Sequence, residues 1–173
     1  MIAGPPEHRW KECYAQLAPK LLLFARQWVP CQADAEDVVQ VAFVRFWRQQ
    51  PMAHEEHYPL LFTAVRSAAL DWRRKHQRRV RRELHPEAML NIEALAFFEN
   101  SLEQREDAAT VEAALIRLPE AQREVVVLRI WGELTFAEIG TALGESINTV
   151  ASRYRSGIET LRKTFRHNAY ARL

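Results

Sequence analysis

The sequence predicts an all-α protein of two small helical domains joined by an acidic linker, the second closing on a short helix, a turn and a long helix. Three observations carry that prediction. The 173 residues include only five glycines and are rich in Ala, Leu, Arg and Glu, which lose little on entering a helix. Long alternating runs of β-branched residues, the mark of strands, are absent. Apolar residues recur instead at helical spacing between prolines, glycines and capping residues.

The first helical stretch runs from about His8 to Val29. Pro19 interrupts it, and fits either the first position of a second helix or a kink, because it brings no N–H and crowds the preceding turn. Pro30 closes the stretch. Asp34 then reads as an N-cap, with Asp37 at the third helical position, opening a helix to about Gln50. Its apolar positions Val38, Val41, Ala42, Val44 and Phe46 are too dense for one narrow stripe and imply burial on more than one side. After the loop PMAHEEHYP, a third helix from about Leu60 to Arg79 sets Leu61, Val65, Ala68, Ala69 and Trp72 on one face.

Charge then changes sign. From Arg66 to Arg82 eight basic residues face one acid, Asp71; from Glu83 to Glu112 eight acids face one base, Arg105. The net charge of +2 conceals these blocks, which suit a polyanion-binding surface followed by a segment that avoids or mimics a polyanion. Periodicity weakens over the same acidic stretch, so the domains are predicted at 1–84 and 107–173 with a partly ordered linker over 85–106.

Helical signals return from Asp107. One helix runs to Leu118, and Pro119 opens the next, which ends near Gly132. Thr135 and Glu138 form a T-x-x-E capping box on a short helix. Gly144 ends it and Ser146 caps the last and longest helix. This is the pattern of a helix-turn-helix. Ile139 and Leu143, with Val150, Tyr154, Ile158 and Leu161, form its internal seam, leaving Asn148, Thr149, Ser152, Arg155, Ser156 and Glu159 outward and Arg153 at the flank. Asn and Arg suit bidentate contacts to base edges, and Ser or Thr suit bases or phosphates, so the long helix is read as entering a DNA groove.

The stretch DAEDVVQVAFVRFWRQ, Asp34 to Gln49, is a second dense signal. Its acids stabilise a helix start through the dipole. Equally, Asp34, Glu36 and Asp37 with Gln40 offer a carboxylate-rich patch to an arginine-bearing partner. The residues alone leave both readings open. On the third helix, Arg66, Ser67, Arg73, Arg74 and Arg78 point away from the apolar face, with Tyr58 and Phe62 at its start. Basic residues tracking a backbone beside aromatic rings suit single-stranded DNA with an unstacked base. Phe62 is assigned to the core.

Three stretches in order, DAEDVVQVAFVRFWR, LLFTAVRSAALDWRRKHQRR and RLPEAQREVVVLRIWGELTFAEIGTALGESINTVASRYRSGIETLRK, resemble a bacterial RNA polymerase sigma factor of the extracytoplasmic-function class. The resemblance spans nearly the whole chain. It implies that the first motif docks on the clamp of core RNA polymerase, through Asp34, Glu36, Asp37, Gln40 and Trp47. It implies that the second recognises and opens the downstream (minus-ten) promoter element. The third would bind the upstream (minus-35) element, through Asn148, Thr149, Ser152, Arg153, Arg155 and Ser156, and the polymerase flap. In the family the linker runs toward the RNA exit path, giving the acidic segment a use as a nucleic-acid mimic. Core RNA polymerase and promoter DNA are the implied partners, with an inhibitory anti-sigma protein as a further one. The family more often has Asn where this chain has Ser67, and often has basic residues where it has Ala151 and Ser156. Arg155 lies about 100° around the helix from Ser156, so it does not replace a base-contacting arginine there.

Other chemistry is not signalled. HEEH, His54 to His57, lacks the i, i+4 histidine spacing of a zinc-protease helix and reads as a polar loop. No glycine-rich phosphate loop or nucleophile set stands out, and no cofactor, metal or enzymatic activity is expected. Cys13 and Cys31 suit a reducing compartment. A basic start followed by an apolar run is not visible at the N-terminus, and LLLF is too short to span a bilayer, so the expected location is the cytoplasm without membrane insertion. A freestanding helix-turn-helix regulator is the alternative; the Asp34–Trp47 motif separates the two, because a simple repressor does not need it.

Overall fold

Burial decides the course of the first helix more strongly than its proline does. In the computed structural model, which describes residues 6–49, 57–82 and 110–170, α1 runs without a break over Pro6–Ala25, with Pro19 inside it. The expected second helix at Pro19 is therefore corrected. Pro19 sits on the exposed side, while Leu17, Leu21 and Phe24 on either side of it are withdrawn from solvent. Burying three such side chains is worth about 1.5–3 kcal/mol each, enough to offset the ~3 kcal/mol of an interior proline. The helix also stops short of Val29: Gln27 and Trp28 donate from their backbone N–H to the carbonyls of Phe24 and Ala25, tightening the end into a turn.

α2 covers Gln32–Gln49 and α3 covers Tyr58–Arg82. α2 starts two residues before the expected cap. The Ala35 N–H donates to the Cys31 carbonyl at 3.0 Å, which makes Cys31 the capping position and puts Asp34 in the first turn. Asp34 still faces the positive helix end, but as a dipole partner and not as the cap. The apolar run of α2 is buried on one face only, through Ala35, Val38, Val39, Ala42, Phe43 and Phe46. Val41 is 45% exposed, so burial on more than one side does not hold. Val39 and Phe43 supply the inward residues that the dense reading had sought in Val41 and Val44.

These three helices pack pairwise around one core. Trp10 meets Phe43 edge-on at 5.6 Å and Phe24 meets Phe62 edge-on at 5.6 Å, the arrangement that aromatic quadrupoles favour. Phe62 is buried, as expected of a core residue. Cys13 is buried near Tyr58, and burial pushes its thiol above the usual range.

The chain divides into two compact units, Met1–Asn91 and Ile92–Leu173. The expected acidic linker lies outside the described residues. In the second unit, a helix over 110–116 (α4) is followed by α5, Glu120–Ile130, α6, Phe136–Leu143, and α7, Ile147–Tyr170. Pro119 is the cap of α5, one position before its expected place inside the helix. Among the described residues every regular element is helical.

Local chemistry sets the α6–α7 junction. Thr135 and Glu138 make the full capping box, with the Thr135 N–H donating to Glu138 Oε2 at 2.7 Å. These hydrogen bonds from Thr135 hold the Glu138 carboxyl below the usual range. Gly144 has φ 69°, a left-handed conformation that an L side chain rarely adopts. The Ser146 hydroxyl then accepts from the Thr149 N–H at 3.1 Å and caps α7. Ala114, Leu115, Leu118, Val126 and Leu161 form the core beneath, with Tyr154 and Ile158 half-buried against it.

α7 crosses α5 at Gly157. A Cβ there would stand 2.9 Å from Val126 Cγ2, a stiff β-branched side chain that is wholly buried. Gly157→Ala gains about 1 kcal/mol of helix propensity and loses about 1–3 kcal/mol to overpacking, so it should lower stability. Urea unfolding of the full chain checks this. An unchanged or raised transition would mean that α5 and α7 separate at no cost.

Candidate functional site

With one face of α2 in the core, its opposite face carries Glu36, Asp37, Gln40, Val41, Trp47 and Arg48 to solvent. All five expected docking residues are at least partly accessible, but they do not form one patch. Gln40 and Trp47 line an apolar groove of about 610 Å³ between α1 and α2, together with Trp10, Tyr14, Phe43 and Val44. Asp37 lines a second groove, between α2 and α3, with Val41, Arg45, Asp71, Trp72 and Lys75. Glu36 accepts from Gln32 at 3.1 Å, and Asp34 is half-exposed in the first turn. Tyr14 and Val41, exposed apolar residues that line these grooves, were not among the expected docking residues. Their signal was weak, because both lie inside runs that read as core.

On α3, Leu61, Val65 and Ala69 are fully buried. At about 100° per residue, Ser67, Arg74 and Arg78 then fall on one outward stripe, while Arg66 and Arg73 lie about 100° away on its flank. Solvent access agrees, with the first three exposed and the last two half-buried. Arg74 pairs with Asp71 at 3.2 Å, both side chains mostly in solvent. Such a pair is worth little and yields readily to a phosphate. Trp72 stacks on His76 at 4.8 Å with planes 12° apart, between the basic residues of this helix.

On α7 the expected reading set divides again. Asn148, Ser152, Arg155 and Ser156 are exposed. Thr149 is half-buried, with its hydroxyl 2.8 Å from that of Ser146, and is partly occupied by the cap. Arg153 is held by Glu145, a residue the sequence reading left out, with Nη1 2.9 Å from Oε1. Arg155 folds back along the helix and donates from Nε to the Ala151 carbonyl at 3.3 Å. Farther along the face, Lys163 lies 2.8 Å from Glu159 and holds its carboxyl below the usual range, which mutes the one acid on this surface.

A Ser-capped long helix with exposed Asn148 and Arg155, a separate basic helix and a helix with acids in its first turns stand in the order that the sequence suggested. Comparison with known proteins agrees with that order. Sigma-70 region 2 matches residues 13–79 and sigma-70 region 4 matches residues 114–163. The RNA polymerase sigma-E factor of Streptomyces avermitilis is 31% identical over 146 residues, covering 83% of this chain and 77% of the relative. The chain belongs to the RNA polymerase sigma factors of the sigma-70 family. The ECF RNA polymerase sigma factor RpoE of Cereibacter sphaeroides is 26% identical over 165 residues, 91% of this chain and 88% of that one, in keeping with the extracytoplasmic-function class. The fold is also that of two solved structures. One is the sigma factor RpoE with the anti-sigma factor NepR from Bartonella quintana, at TM-score 0.67 and 22% identity over 91% of this chain and 97% of that one. The other is CnrH with the cytosolic domain of CnrY, at TM-score 0.64 and 21% identity over 95% of this chain and 91% of that one. A sigma factor acts with core RNA polymerase on promoter DNA, and both matched regions lie in this chain, so a freestanding regulator is not favoured.

A base contact and a phosphate contact on α7 should behave differently. Asn148→Ala should cost about 1–3 kcal/mol and relax preference at one position of the upstream element. Arg155→Ala should weaken all sequences about equally. Selection from randomised upstream elements with each variant holoenzyme separates the two; a changed base choice with Arg155→Ala alone would reverse the orientation assigned to the helix.

Proposed function

We propose that this sigma factor divides its work among the outward faces of three helices. The outer face of α2 docks on core RNA polymerase through Asp37, Gln40 and Trp47, with Asp34 and Glu36 adding negative charge at its start. The α3 stripe of Ser67, Arg74 and Arg78 follows the strand backbone at the downstream element, and Arg66 and Arg73 hold its flank. α7 reads the upstream element through Asn148 and Ser152, with Arg155 and Ser156 beside them. The domains are taken as 1–84 and 107–173, with the acidic segment 85–106 between them.

One observation supports this reading above others: the buried stripes on α2, α3 and α7 leave these residues on the opposite faces. The protein acts as a dissociable subunit in the cytoplasm and catalyses no reaction of its own. Among the described residues no helix is long and apolar enough to cross a membrane. The two solved structures of this fold are complexes, one of RpoE with the anti-sigma factor NepR and one of CnrH with the cytosolic domain of CnrY. A comparable inhibitory protein is a fitting partner here, and the aromatic groove between α1 and α2 offers it apolar surface.

The docking assignment is tested by Asp37→Arg combined with Gln40→Ala, which alters both grooves of α2 without touching its buried face. The double variant should keep its helical circular-dichroism signal and lose co-elution with core polymerase. Co-elution equal to that of the parent chain would remove the assignment.

A further inference from the structure

Glu145 is fixed in the helix-turn-helix turn by its own backbone. Its N–H donates to the Gly140 carbonyl at 2.9 Å, and its carbonyl oxygen lies 2.8 Å from where a Cβ on Gly140 would stand. Gly144, immediately before it, is left-handed. The carboxylate is therefore presented from an anchored point, not from a loose loop. Arg153 reaches back to it from α7 at 2.9 Å, with side-chain exposures of only 29% and 34% for the arginine and the acid. The Asp71–Arg74 pair, at 65% and 58% exposure for the arginine and the acid, is far better hydrated.

We propose that Arg153 is a positioning residue, a strut that ties α7 to the turn and sets the angle of the reading helix, and that it does not bind DNA. Three physical arguments support this. Handing Arg153 to a phosphate would leave a half-sheltered carboxylate unpaired beside a polyanion, and like charges set side by side repel. Helical phase places Arg153 about 140° around α7 from Asn148 and about 60° from Ser156, at the edge of the exposed stripe, and it is half-buried where Asn148, Ser152 and Ser156 are exposed. Thr149 on the same flank is already engaged with Ser146, so this side of α7 serves the turn. The inference rests on α7 being the upstream reader, and it narrows which of its residues meet DNA.

The test uses holoenzyme assembled from the full chain and core polymerase, on a duplex promoter fragment chosen by the parent holoenzyme. Affinity is measured across a salt series for Arg153→Gln and for the exchanged pair Glu145→Arg with Arg153→Glu. Arg153→Gln should weaken binding about five-fold, as for other coupled pairs, with the slope of log affinity against log salt unchanged. The exchanged pair should recover to within about two-fold of the parent, because the strut is rebuilt with its ends reversed. A phosphate ligand would behave otherwise: its loss lowers the slope by about 0.9. That lowered slope, or an exchanged pair no better than Arg153→Gln, overturns the proposal. Asn148→Ala and Arg155→Ala run in the same assay; if neither changes affinity, it is the assignment of α7 as reader that fails.

Discussion

Leu61, Val65 and Ala69 leave solvent completely on α3, and Val150 does so on α7, where Gly157 and Leu161 are also buried. A helix held along one face has no freedom over what it shows on the other, since each residue advances about 100°. That constraint orders the surfaces of this molecule. Remove the tight crossing of α7 over α5 at Gly157, and the face shared by Asn148 and Ser152 loses its fixed direction relative to α5. Loosen Phe43 or Val38 on α2, and one of the two grooves that flank its outer face loses a wall.

The electrostatics follow the same logic at smaller magnitude. The outward charges are weakly paired, as Arg74 with Asp71 and Lys163 with Glu159, and exposed pairs of this kind are screened by water and contribute little. They leave the surface ready to exchange a carboxylate for a phosphate. The sheltered Glu145–Arg153 pair belongs to the architecture instead. Weak contacts made by two separate units gain selectivity when one partner holds both, because the second contact is then made at high effective concentration.

Much of the second unit was legible in the sequence because its signals are local. Thr135 with Glu138, Gly144 and Ser146 act within four residues, and each appears in the structure in its expected role. Elsewhere a local rule lost to a longer-range one. Pro19 predicted a break, yet the apolar residues around it keep α1 whole. Asp34 looked like a cap, but the chain turns earlier, at Cys31. Val41 looked like core by its neighbours and faces solvent by its phase. Among the candidate site residues, the sequence placed Asn148, Ser152 and Ser67 outward and Arg153 at the flank, but it did not reveal what holds Arg153. Its partner sits across the turn, eight positions earlier, beyond any i, i+4 pattern.

The central claim is that this chain confers promoter choice on core RNA polymerase. Mapping transcript 5′ ends on genomic DNA, with core polymerase alone and with the purified chain added, tests it most directly. New start sites should appear that share a pair of elements at a fixed spacing and that vanish when the chain is left out. Start sites identical with and without the chain, while the chain alone still binds DNA selectively, would contradict it.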